Sequence, residues 1–194
     1  EGNAVAGWSY RYDPAGNLIG MQNNDVRLAY EYDALDQRTQ IAMWTPTWGA
    51  TRTLHLIRED KAANVTQVIG PGGYQVAYQY DNLNRLQTVM DPVGNTTRYV
   101  YDSGGRLTRA AYPDGTVSSY AYDARNHLTR LSHKMETDPI SYTYAYDGRG
   151  NIVGEVDEAE TYTYTYNAVS QVISRASELQ GEVTFEYDAV GNRT

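Results

Sequence analysis

The chain has 194 residues, no cysteine, a formal charge of −8 and a mean hydropathy of −0.63. The missing cysteines exclude a disulfide scaffold and thiolate metal sites, and the negative charge argues against a phosphate-backbone partner, which needs a basic stripe. No apolar run approaches the roughly 20 residues of a membrane-spanning helix, so neither nucleic-acid binding nor membrane insertion is expected.

From the N-terminus, the first element is Tyr10-Arg11-Tyr12-Asp13-Pro14-Ala15-Gly16-Asn17-Leu18. The same pattern returns at Tyr30, Tyr32 and Asp33, and a worn copy without tyrosines fits Ile57-Arg58-Glu59-Asp60-Lys61-Ala62-Ala63-Asn64-Val65. It continues at Tyr78, Tyr80 and Asp81, then at Tyr99, Tyr101, Asp102 and Gly105, and at Tyr120, Tyr122 and Asp123. The last copies hold Tyr144, Tyr146, Asp147 and Gly150, then Tyr164, Tyr166 and Asn167, then Tyr187, Asp188 and Gly191. Steps from Asp13 to Asp33, and then from Asp81 onward, are 20, 21, 21, 24, 20 and 21 residues, and the 48-residue gap from Asp33 to Asp81 holds the worn copy. Self-similarity at fixed period signals a repeat architecture. Nine copies then account for nearly the whole chain, which we read as one continuous array over 1–194.

Each unit reads as a β-hairpin. Tyrosines at i and i+2 share one face of a strand, and Tyr, Thr and Val dominate between the turns, as in Tyr162-Thr163-Tyr164-Thr165-Tyr166. After the aspartate come two residues free to be helical and a third dominated by glycine, the pattern of a three-residue hairpin loop with a left-handed bulge residue. That third position holds Gly16, Asp36, Ala63, Asn84, Gly105, Asn126, Gly150, Ser170 and Gly191, and seven of the nine tolerate positive φ well. The register predicts cross-strand pairs Tyr12–Leu18, Tyr80–Leu86, Tyr101–Leu107, Tyr122–Leu128 and Tyr146–Ile152, each worth roughly 0.2–1 kcal/mol relative to alanine. Second turns are signalled at Pro71-Gly72-Gly73, Asp91-Pro92-Val93-Gly94, Pro113-Asp114-Gly115 and Gln180-Gly181. The fold class is therefore all-β: a meander of antiparallel hairpins expected to coil as twist accumulates.

Candidate chemistry is sparse. The motif aspartates are equivalent, which suits turn capping of a backbone N–H two residues on rather than one special catalytic copy. His55, His127 and His133 lack metal-ligand spacing, and Glu155, Asp157, Glu158 and Glu160 read as a solvated turn. We expect no catalytic residue, no metal and no cofactor. Met43-Trp44-Thr45-Pro46-Thr47-Trp48-Gly49 interrupts the pattern, and Trp44 and Trp48 are read as packing residues, with ligand contact as the alternative.

Tyr-Asp units followed by Gly-Arg-Leu or Gly-Asn-Leu resemble the YD repeats of Rhs proteins, toxin-complex subunits and teneurins. Near-consensus stretches are Tyr99 to Thr108 and Tyr120 to Thr129, with Tyr112-Pro113-Asp114-Gly115 between them, and the likeness covers essentially the whole chain. The resemblance implies a spiralling β-sheet that closes into a hollow shell, enclosing a C-terminal toxic domain in bacterial members and displayed for adhesion in teneurins. It also implies a stretch of wall from a longer bacterial array, secreted or at the cell surface, with flanking repeats and an enclosed toxin domain as partners. An alternative is a glycan- or surface-binding module using exposed Tyr and Trp rows. Self-cleavage is not carried over, because Asp91-Pro92-Val93-Gly94 sits mid-array as an ordinary turn.

Overall fold

The computed structural model describes residues 7–135 and 139–194. They form two compact units, 1–96 and 97–194. The first holds β1 (Ser9–Tyr12), β2 (Leu18–Gln22), β3 (Arg27–Tyr32), β4 (Arg38–Trp44), β5 (Arg52–Ile57), β6 (Gln67–Ile69), β7 (Gln75–Tyr80) and β8 (Leu86–Met90). The second holds β9 (Thr96–Tyr101) from its second residue on, β10 (Leu107–Ala111), β11 (Val117–Tyr122), β12 (Leu128–Lys134) and β13 (Ile140–Tyr146). It ends with β14 (Ile152–Val156), β15 (Thr161–Tyr166), β16 (Val172–Ser177) and β17 (Gly181–Thr184). Within each unit every strand pairs antiparallel with its neighbour in sequence, so both are all-β meanders of hairpins.

The hairpin register is the one set by the tyrosines. Tyr12 faces Leu18, Tyr80 faces Leu86, Tyr101 faces Leu107, Tyr122 faces Leu128 and Tyr146 faces Ile152. Just before each second tyrosine the register shifts by one: Arg11 faces Gly20 while Tyr12 faces Leu18, so Ile19 is skipped as a bulge. The bulge exists because the loop residue before it is left-handed. All nine third-loop positions have positive φ, from 58° at Asp36 and Ala63 to 93° at Gly16. Asp91–Asn95 and Tyr112–Thr116 close in the same hydrogen-bonded loop, with Gly94 and Gly115 in the left-handed place. One loop geometry thus serves both kinds of turn.

The sheet is thin. Among the described residues Ala110 is the buried hydrophobic side chain, whereas Thr88, Ser118, Glu160 and Ser174 are buried polar ones. Strand β15 shows how the faces divide: Tyr162, Tyr164 and Tyr166 are half-buried while Thr161, Thr163 and Thr165 are exposed. Strand β3 does the same with Leu28, Tyr30 and Tyr32 against Arg27, Ala29 and Glu31. Half-burial suits an aromatic body with a polar tip. Strand β1 differs, with Tyr10 and Tyr12 both exposed.

Candidate functional site

Each motif loop is held by its aspartate, or by Asn167 in the eighth copy, whose Oδ1 accepts the Val169 and Gln171 N–H groups. In the first, the Asn17 N–H donates to Asp13 Oδ1 at 2.8 Å and the Asn17 amide to Oδ2 at 3.0 Å, while the Asp13 carbonyl accepts the Gly16 N–H. In other loops Oδ1 also accepts the N–H two residues on, as from Leu35, Leu83, Gly104, Arg125, Arg149 and Val190. The residue four places after the aspartate changes identity but keeps its task. Asn64, Asn151 and Asn192 donate an amide, Arg85 and Arg106 a guanidinium, and His127 presents Nδ1 2.9 Å from Asp123 Oδ2. The Asn17, Asn151 and Asn192 side chains, with backbone N–H groups behind them, hold Asp13, Asp147 and Asp188 below the usual carboxylate range. At Asp102 the Arg106 N–H and then its guanidinium do the same. Partial burial opposes the shift at Asp81 and Asp123, and the bonds from Arg85 and His127 together outweigh it. These carboxylates are committed to turns.

A second set of bonds joins one repeat to the next. Between repeats the backbone ladder stops short: β2 and β3 pair only as far as Gly20–Ala29, and β14 and β15 as far as Gly154–Thr163. Beyond that point the Leu18 and Ile152 carbonyls have no ladder partner, and an unpaired buried carbonyl is costly. The second tyrosine of the following repeat reaches them. Tyr32 Oη donates to Leu18 O at 2.9 Å, Tyr80 to Val65 O at 2.9 Å and Tyr122 to Leu107 O at 2.9 Å. Tyr146 donates to Leu128 O at 2.7 Å, Tyr166 to Ile152 O at 2.6 Å and Tyr187 to Val172 O at 2.9 Å. In the worn copy, which has no tyrosine, Arg58 Nη1 donates to Arg38 O at 2.6 Å. The loop edge adds further links: Asn17 to Asp36, Arg106 to Asn126, Arg125 to the Gly148 carbonyl and Arg149 to the Ala168 carbonyl.

The sequence carries a signal for the phenol links that reading by periodicity misses. The chain has 19 tyrosines and one phenylalanine, and Phe185 stands in the first tyrosine position of its copy, where no carbonyl waits. The acidic run is a turn, as expected, but not a wholly solvated one. Asp157–Glu160 is a tight turn, but Glu160 is only 9% exposed. Its carboxylate accepts the Leu179 N–H at 2.8 Å and the Gln180 amide at 3.1 Å. The Ser177 hydroxyl leads the groups that pull it down to about 2. Glu155 meanwhile accepts the Tyr164 phenol at 2.8 Å.

Trp44 lies on the face opposite the tyrosines. It pairs with Arg27, and Ala42 with Ala29, whereas Tyr30 pairs with Ile41. The Arg27 guanidinium sits 5.2 Å over the Trp44 ring, and Arg52 sits 4.4 Å over Trp48. Among the histidines, His127 stacks on Tyr146 at 4.6 Å and His133 Nδ1 lies 2.8 Å from the Ser118 hydroxyl. Ser118 is 0% exposed, so that hydroxyl is sealed from any substrate. Among the described residues no group of three acids or histidines could hold a metal, and no helix is long and apolar enough to cross a membrane.

The repeated hairpin, with its capped loop and its tyrosine links, is matched at family level: the teneurin YD-shell family model covers residues 2–136. The chain belongs to the teneurin YD-shell family. No curated protein sequence matches this YD-shell chain. Among solved structures, a crystal structure of TcdB2-TccC3-Cdc42 is similar over 97% of the chain at 16% identity, with a TM-score of 0.47. The Photorhabdus luminescens Tc holotoxin pore is similar over 97% at 16% identity, with a TM-score of 0.42. The chain spans 15% of the length of each of these matched chains. A porin-like protein from Bacteroides uniformis is similar over 95% of the YD-shell chain and 85% of its own, at 15% identity and a TM-score of 0.39.

Proposed function

We propose that this YD-shell chain is a stretch of shell wall in a secreted or cell-surface bacterial protein, where it encloses or displays a toxin or effector domain of the same parent. The array runs through 1–194 as one repeat series, and its mechanism is geometric rather than catalytic. The observation that carries the reading is the recurring bond from a second tyrosine to the carbonyl of the preceding repeat, as in Tyr146 to Leu128 at 2.7 Å. Such a bond at successive junctions fastens each hairpin to its predecessor and closes the backbone gap through which water would enter. The aspartates and their partners, being bound to loops, are unavailable for acid–base work.

The rival, a glycan-binding module built on tyrosine rows, is less well supported. The motif tyrosines from Tyr30 onward are half-buried and most second tyrosines spend their phenols on carbonyls. The test is protease resistance of the domain downstream in the parent protein, compared between the native wall and one carrying Tyr122→Ala with Tyr146→Ala. Enclosure requires the native wall to protect and the weakened wall to leak. Equal cleavage in both would remove enclosure from the reading and leave a scaffold that only displays.

A further inference from the structure

On the face opposite the tyrosines, two clefts of opposite charge occupy the same place in two different repeats. The floor of the first includes Ala29 and Ala42, and that of the second Thr163 and Ala176. In each pair one residue precedes a first tyrosine and the other faces it across the hairpin. The first cleft, of about 530 Å³, has Arg11 and Arg27 in its lining and no acid. The second, of about 680 Å³, has Asp157, Glu158, Glu160 and Glu178 in its lining and no base. Among the described residues Arg11, Arg27, Glu158 and Glu178 enter no ion pair.

The acidic cleft carries a rigid tip. In the turn after β16 the Leu179 N–H donates to Glu160 at 2.8 Å and the Gln180 N–H to the Ser177 hydroxyl at 3.2 Å. The Gln180 amide adds bonds to Glu160 at 3.1 Å and to the Tyr162 phenol at 3.0 Å. These bonds fix the backbone and leave two side chains outside: Glu178 is exposed and Leu179 is 77% exposed. A tip that is already ordered loses little freedom on binding.

The basic cleft is its counterpart. Arg11 lies against Gly20, where a Cβ would come within 2.9 Å of Nη2, so the missing side chain is what admits the guanidinium. Arg27 sits 5.2 Å over the Trp44 ring. Stacking fixes the plane of a guanidinium while its N–H edge stays free to grip a carboxylate. Gly20, Ala29 and Ala42 leave a low floor that a leucine side chain can cover.

We propose that the Glu178–Leu179 tip of one copy docks in the β1–β4 cleft of a second copy of this chain. Leu179 covers the floor beside Trp44, and the Glu158 and Glu178 carboxylates meet the two arginines. A chain at −8 repels its own kind, so self-association needs a local pairing of opposite charges such as this one. One tip in one cleft is a small contact of the weak class. It stands apart from enclosure, since it uses neither the tyrosine links nor the capped loops.

The test is sedimentation velocity of the full chain from about 5 µM to about 500 µM. The sedimentation coefficient rises with concentration, and rises less at about 500 mM salt than at about 50 mM. Arg27→Glu and Glu178→Arg each weaken association about ten-fold or more, and Leu179→Ala weakens it at either salt concentration. Mixing the Arg27→Glu and Glu178→Arg chains restores association, because the first keeps its tip and the second its cleft. All three changes lie at half-buried or exposed positions, and melting curves identify any variant that fails to fold, leaving the other two to decide. A chain that stays monomeric throughout, association indifferent to the folded variants, or a mixture no more associated than its parts overturns the proposal.

Discussion

The phenol of Tyr166 donates to the carbonyl of Ile152 at 2.6 Å, across a gap that the backbone ladder between β14 and β15 leaves open. The relationship recurs at five other junctions and divides the motif tyrosines into two classes. Second tyrosines carry a bond; first tyrosines carry mainly a ring.

That division predicts opposite outcomes for one chemical change. Tyr146→Phe removes the donor to Leu128 and strands a part-buried carbonyl, so we expect a loss of about 1–3 kcal/mol. Tyr144→Phe, in the first position of the same strand, should stay within about 0.5 kcal/mol. Urea denaturation of both variants measures the difference, and equal losses would sink the division.

The left-handed loop position predicts both signs. Gly105 has φ of 83°, and Gly105→Val should cost about 1–3 kcal/mol by forcing a branched side chain there. Ser170 has φ of 63° in a loop of the same kind, and Ser170→Gly should raise stability by about 0.5–1 kcal/mol. A lowered melting temperature for Ser170→Gly would count against strain at that site.

Stability should fall at both ends of the pH scale. Their turn hydrogen bonds hold Asp13, Asp102, Asp147 and Asp188 below the ordinary aspartate value of 3.8 in the folded chain. Their contribution is therefore present above that value and is lost as pH falls below it. Burial pushes Tyr80, Tyr144, Tyr146 and Tyr166 above 10, and Tyr164 to about 12. Their contribution is present below pH 10 and is lost as pH rises through the raised values. Melting temperatures across pH 2 to 12 check both limbs; a flat alkaline limb would contradict the tyrosine assignment.

Glu160 joins two turns through the Leu179 N–H and the Gln180 amide. In Glu160→Gln one acceptor oxygen becomes a donor facing a donor. We expect the Leu179 amide to exchange with solvent faster while the Tyr146–Leu128 junction keeps its protection. Unchanged exchange at Leu179 would show that the carboxylate is not the clasp.

Much of this protein is readable along the chain. The 20- or 21-residue step, the paired tyrosines and the tolerant third loop residue together specify hairpin, register and bulge, because each is a local steric demand on adjacent residues. Even the worn copy was detectable, since Asp60 and Asn64 keep the loop. What the worn copy does with its junction was not. Arg58 replacing a phenol at the Arg38 carbonyl depends on where the ladder stops, which is a property of two strands about 20 residues apart.

The packing of Arg11 on Gly20 and of Arg27 on Trp44 lies wholly in this second category. Arg11, Gly20, Arg27 and Trp44 show no motif in the linear sequence, because they come together only when four strands align in register. Local chemistry settled the repeat, its turns and its strand faces, since steric rules act between near neighbours. Pairing across strands decided which tyrosines bond, which acid is buried and what Arg11 and Arg27 pack on, since those contacts exist only after distant segments share a sheet.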